Sequence, residues 1–229
     1  MNDKHDSGAI RCVDLLKELL SRRDVDQASR SAFAGDDQEA VERLIQIDDD
    51  NATWLGKVVD AMGWPGRSLV GDEGAHAAWL LAQHADRHPS LQLRFLMLLE
   101  KAVNRGEASP SDLAYLTDRV LLASGKHQVY GTQVTARDGR FVASRLRNPE
   151  AVDDRRVSVG LGSLETYLRS ALELYGSPSP AHVPCPRCNA EIEVWLPEIG
   201  GHSTVKCTSC HSVTTIRARM RAAIRLENE

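Results

Sequence analysis

The chain has 229 residues, a net charge of −4, 42% hydrophobic residues and only 5% aromatics. That length allows one large domain or a medium domain with a small module, and its core must be built mainly from Leu, Val and Ala; the charge excludes a global basic field for nucleic acid. No apolar run approaches the ~18–20 residues of a membrane span, and the N-terminal stretch lacks the apolar centre of a secretory signal, so a cytoplasmic protein without a membrane partner is expected.

Ile10, Val13, Leu16, Leu19 and Leu20 set a helical stripe over Ile10–Ser21. In Arg22–Ala34, Asp26 and Arg30 stand four apart and read as a solvated ion pair on one helix face. Asp37–Ile47 is a second amphipathic helix. Asp48–Asn51 (DDDN) is expected to break it and to cap the next, whose stripe runs from Trp54 to Met62.

Gly63-Trp64-Pro65-Gly66 is a tight turn, and helix is expected again from about Asp72 to Asp86. Ala75, Ala77, Ala78, Trp79, Leu80, Leu81, Ala82 and Ala85 leave that helix no polar face, so it is read as buried. Yet it carries His76, Gln83, His84 and Asp86. Buried polar groups cost roughly 1–3 kcal/mol each unless partnered, so other parts of the chain must answer them. Pro89 starts a further helix ending at Gly106. Ser109-Pro110-Ser111-Asp112 opens another, which runs to about Ala123 and contains Asp118 and Arg119.

Asp138-Gly139 is a hairpin turn signal, and one β-hairpin is expected over about Gln128–Arg145. Asn148-Pro149 starts a short helix and Ser163 caps a last one to Tyr175. Ser177–Pro184 (SPSPAHVP) reads as a stiff linker.

Four of the five cysteines follow it as Cys185-x-x-Cys188 and Cys207-x-x-Cys210. Two such turns offer four thiolates to a tetrahedral Zn²⁺, and a set of four cysteines closes a structural site rather than leaving a catalytic opening. Ile192–Leu196 and Val213–Arg219 are strand-like, and Gly200-Gly201 is a return between them. The segment Pro184–Arg217 resembles zinc ribbons in which two CxxC knuckles clamp a small antiparallel sheet. Those ribbons usually carry Gly after each second cysteine, whereas Asn189 and His211 stand there here. The tail RARMRAAIR is locally basic, but from Ala181 onward six Lys/Arg face five Asp/Glu. A solvated helix end is the plainer reading of that tail, and nucleic acid the weaker one. Cys12 reads as a small buried hydrophobe.

Together, WPGRSLVG, AAWLLAQHAD, AYLTDRV, QVYGTQ and VDDRRVSVGL resemble a family of bacterial proteins with no assigned function, from about Leu20 to Tyr175. That resemblance carries no catalytic residue with it and implies that the ribbon is an appendage.

The expected architecture is mainly α: residues 1–176 form a bundle-like helical domain of about seven helices with one β-hairpin, 177–184 a linker, and 185–229 a small β zinc ribbon with its basic tail. Residues His76, Gln83, Asp118, Arg119, Gln128, Tyr130 and Gln133 are candidates to line a cleft for a polar small molecule or peptide. In an enzymatic alternative, a hydrolase or lyase uses His84 as general acid/base with Asp86, Gln128 or Gln133 in support. The same residues could instead form a satisfied hydrogen-bond network that pins the hairpin. A further alternative is a ribbon-mediated nucleic-acid or protein adaptor. No GxSxG, P-loop or GxGxxG motif is present.

Overall fold

The structure, a computed structural model, describes residues 10–31, 38–143, 145–195, 202–220 and 223–228. The Gly200-Gly201 return, the residues between the first two helices and the side chains of the basic tail lie outside that description. The chain divides into two compact units, residues 1–116 and 117–229, with the boundary inside one helix.

In the first unit, α1 (Val13–Ser31), α2 (Gln38–Met62), α3 (Arg67–Gln83) and α4 (Pro89–Val103) are followed by the start of α5 (Pro110–Ala123). One boundary differs from the sequence expectation, the break at Asp48–Asn51. Helix α1 is continuous through Arg22–Arg30, and α2 runs unbroken through Asp48–Asn51. The acidic run does not break the helix because its side chains are taken by partners on other elements. Arg30 takes Asp48, Arg87 and His88 take Asp49, and Arg22 takes both Asp50 and Asn51 while lying over the Trp54 ring. A side chain so engaged no longer competes for its own backbone, which removes the reason Asp and Asn disfavour helix interiors.

Helix α3 is the centre of this unit. Gly71 (φ 72°) interrupts it, so the regular helix starts at Asp72 as its composition suggested. Val70, Ala75, Ala77, Ala78, Leu81 and Ala82 are buried with Leu19 of α1, Leu55 of α2 and Phe95 and Leu99 of α4. Gly74 permits the close approach to α1: a Cβ there would lie 2.6 Å from Val70 Cβ and 2.9 Å from Leu16 Cδ1. The helix ends at Gln83, with His84 as its C-cap (φ −94°, ψ 6°), so Asp86 sits in the turn before α4 rather than on α3.

In the second unit, the rest of α5 leads to a hairpin of β1 (Thr135–Arg137) and β2 (Arg140–Val142), shorter than expected, with Asp138 and Gly139 both at positive φ in its turn. A short 3₁₀ turn, α6 (Val152–Ser158) and α7 (Leu164–Tyr175) follow, α7 being capped by Ser163 Oγ.

The ribbon has more strands than composition indicated. Strand β3 (Ala181–Pro184) pairs antiparallel with β4 (Glu191–Val194), and β5 (His202–Lys206), β6 (Val213–Met220) and β7 (Ala223–Asn228) form an antiparallel sheet in that order. The stretch read as linker therefore ends in a strand, because alternate residues are used: Val183 is buried facing Ile192 in register. Within the basic tail, residues 217–220 and 223–225 are strand, not helix, and Ile216 stands opposite Leu226.

Candidate functional site

The ribbon brings its four cysteines together. One ligand atom from each of Cys185, Cys188, Cys207 and Cys210 lies within 4.8 Å of the other three. Sulfur–sulfur separations are 3.7 Å for Cys185–Cys210 and 3.6 Å for Cys188–Cys207. Four thiolates about 2.3 Å from a tetrahedral Zn²⁺ stand about 3.8 Å apart, so the donor set fits that ion in both number and spacing. The two knuckles repeat one backbone pattern. Cys185 N–H donates to Ala190 O and Asn189 N–H to Cys185 O; Cys207 N–H donates to Ser212 O and His211 N–H to Cys207 O. Asn189 (φ 60°) and His211 (φ 58°) take the left-handed conformation that favours glycine. The Ser212 hydroxyl and the turn amide of Arg187 pull the Cys185 thiol down to about 6, whereas the Ala190 amide is outweighed by the neighbouring thiols, which push Cys188 up to about 12.

In the first unit the QHAD motif is organised by a residue that its sequence context hid. His84 Nδ1 lies 2.9 Å from Asp26 Oδ1. Asp26, expected to be a solvated partner of Arg30, is fully buried. Its carboxylate also accepts from Gln27 Nε2 at 2.7 Å and from Arg30 Nη2 at 3.0 Å. Arg30 reaches on to Asp48, which is 3% exposed. Burial alone would raise the Asp26 carboxyl, but the hydrogen bond and charge of His84, then those of Arg30, hold it well below the usual carboxylate range. Two buried carboxylates thus face one guanidinium, and His84 can supply the second positive charge by taking a proton. Asp26, Asp48 and His84 also lie within metal-ligand spacing of one another. Arg30 shares its single positive charge between both carboxylates. Asp86, proposed to back His84, accepts from Gln92 Nε2 at 3.1 Å. Gln83 is buried, and its Oε1 has no hydrogen-bond partner among the described residues.

His76 belongs to a different place on α3. Its Nδ1 is 3.1 Å from Asp112 Oδ2, and its ring stacks on Trp79 at 4.7 Å. The Asp112 hydrogen bond raises its pKa, against the opposing effect of burial.

The remaining candidates meet in the second unit. Asp118 is fully buried and accepts from the backbone amides of Val129 (2.6 Å), Tyr130 (3.1 Å) and Thr132 (2.9 Å) and from Thr132 Oγ1 (3.0 Å). Burial raises its pKa, only partly offset by those amides. Gln128 and Gln133 clasp each other through side chain and backbone, and Arg119 donates to Gln133 Oε1. The carbonyls of the same loop are also met: Arg155 donates to Val129 O, Arg156 to Tyr130 O and the Tyr167 hydroxyl to Thr132 O. These polar atoms hydrogen-bond within the YGTQ loop and to the helices beside it.

A family model for a family of unknown function, DUF6624, matches residues 13–178. The chain belongs to that family. The match ends before the first ribbon cysteine, so all four thiols of this DUF6624 chain lie beyond the matched region. No curated protein and no solved structure matches the chain. Among the described residues, no helix is long and apolar enough to cross a membrane.

Proposed function

We propose that this DUF6624 chain is a hydrolase or lyase acting on a polar small molecule, with His84 as the proton-transfer group and a structural zinc in the ribbon. The observation that supports it is the 2.9 Å hydrogen bond between His84 Nδ1 and the fully buried Asp26. A buried carboxylate on Nδ1 fixes the ring's orientation and tautomer, and it stabilises the imidazolium when the other nitrogen accepts a proton. Arg30 keeps Asp26 ionised, so the carboxylate remains an acceptor while His84 gains and loses its proton. The side chain of His84 is 14% exposed, so it is not wholly sealed from solvent. Zinc in the ribbon supplies folding energy and takes no part in the proton transfer. The cysteine-rich ribbon suits a reducing, cytoplasmic compartment.

The test is a metabolite screen by thermal shift on the full chain, followed by mass-spectrometric turnover of any stabilising compound. Wild type and His84→Gln should both be stabilised, and only wild type should convert the ligand. Conversion by the variant at the wild-type rate defeats the assignment.

A further inference from the structure

The described structure contains an open cleft of about 470 Å³ in the first unit, lined by Arg67, Asp72 and His76 of α3 and Ser109, Ser111 and Asp112 at the start of α5. That volume suits a small polar molecule. The His84 reading does not use this cleft, and the motif resemblance assigns it nothing.

Its charges come in two pairs of opposite sign. Arg67 Nε donates to Asp72 Oδ1 at 2.5 Å, and His76 Nδ1 faces Asp112 Oδ2 at 3.1 Å. Each pair leaves atoms over. Arg67 Nη1 is spent on Gly106 O and Ala108 O, but its Nη2 has no partner among the described residues, and neither has His76 Nε2. The hydroxyls of Ser109 and Ser111 share one hydrogen bond at 2.7 Å, which leaves one hydroxyl proton unspent. On the acceptor side, Asp72 Oδ2 and Asp112 Oδ1 are likewise without partners among the described residues. The Trp79 ring packs against the His76 imidazole and Asp112 holds its Nδ1, so the ring's position is set by two neighbours.

A simple anion would meet Arg67 and His76 but would also meet two carboxylates. A simple cation meets the reverse conflict. A ligand that carries both charges, a few ångströms apart, answers both sets of unspent atoms at once. We propose that this cleft binds a zwitterionic amino acid or short peptide. The ligand carboxylate takes donors from Arg67, His76 and the serine hydroxyls, and its ammonium donates to Asp72 and Asp112. The raised pKa of His76 increases its share of the positive form near neutrality, which strengthens the carboxylate side.

The experiment uses the full chain and four probes: L-alanine, L-alanyl-L-alanine, N-acetyl-L-alanine, which lacks the ammonium, and L-alaninamide, which lacks the carboxylate. Binding is read by calorimetry and by the NMR shifts of the His76 imidazole. Saturable binding of L-alanine or the dipeptide is expected, with each blocked analogue about tenfold weaker or worse. Asp72→Asn should weaken the zwitterion without affecting the fold, because the Asp72 side chain is 83% exposed; Ser111→Ala provides a second variant. Absence of saturable binding overturns the proposal. So does equal binding of the blocked analogues, or an unchanged affinity in both variants. None of these outcomes bears on His84, so this site and the acid–base site stand or fall separately.

Discussion

Asp26 and His84 are separated by 58 positions in the chain and meet across a 2.9 Å hydrogen bond, with Arg30 bridging Asp26 to Asp48 behind them. The charge balance of this group predicts an order of stability among variants. Arg30→Met leaves two buried carboxylates with no guanidinium, and breaking a buried pair in that way costs ~3–5 kcal/mol. Asp26→Asn removes one negative charge, keeps an acceptor for His84 and leaves Arg30 paired with Asp48, so its cost is nearer ~1–3 kcal/mol. Urea unfolding of the full-length variants measures both. The reverse order, or two costs below ~1 kcal/mol, would return Asp26 to the status of a solvated surface pair.

The depressed Asp26 carboxyl also sets an acid limit. Its pKa in the folded chain lies below the unfolded value near ~3.9, so between the two the unfolded chain binds more protons and stability rises with pH. The contribution is complete above the unfolded value and is lost as pH falls through the folded one. Urea midpoints taken from pH 6 downward should fall most steeply below about pH 4, and Asp26→Asn should flatten that limb. An identical acid limb in the variant would place the titrating group elsewhere.

His76 acts in the opposite sense. Its pKa is raised by Asp112, so whatever stability the pair contributes is full below the unfolded value of about 6.5 and is lost as pH rises through the folded one. The side chain is 55% exposed, and solvent screening keeps that contribution small, so the direct observable is the titration itself. An NMR titration should give His76 a pKa above the ordinary histidine value, and Asp112→Asn should bring it down. An unshifted His76 in the wild-type chain would mean that the 3.1 Å contact does not persist in solution.

Helices α3, α4 and α5, the Asp-Gly turn and the two cysteine knuckles were legible in the sequence because each is marked locally: by composition, by a cap, or by fixed spacing. The partner of His84 was not. Asp26 has a cation four residues on, which is the pattern of an ordinary surface pair, and only the packing of α1 against α3 turns that face inward. The same blindness made Asp48–Asn51 look like a break: its partners Arg22, Arg30, Arg87 and His88 come from distant parts of the sequence. The YGTQ loop was recognisable as polar and special. Which atoms would answer it depended on α5, α6 and α7 closing around it, and no local spacing encodes that. The edge strands β3, β5 and β7 were hidden because a strand of a few residues beside a knuckle gains its order from its partner rather than from its own composition.

The ribbon offers the sharpest test of how the chain is partitioned. Its core consists of its own residues: Val183, Cys185, Ile192, Val194, Cys207 and Ile216, with Ala181, Ala190, Val205 and Cys210 packed against them. Six buried side chains, two of them thiols, are little to set against the ordering of some forty residues at about 1–2 kcal/mol each, so folding of the ribbon is expected to depend on a metal held by the four thiols. The first unit has its own buried residues, among them Leu19, Leu55, Leu81, Phe95 and Leu99, and none of them is a thiol. Chelation, or Cys207→Ser, should therefore unfold the chain from about Ala181 onward and leave the helical signal of residues 1–176 nearly intact. Acid should do the same by protonating the thiolates. Far-UV circular dichroism with metal analysis, before and after chelator, reads both parts together. Zinc at one equivalent per chain, lost with the strand signal alone, is the expected outcome. If the whole helical signal collapses with the metal, the ribbon is part of the main core and the proposal of two separable domains fails.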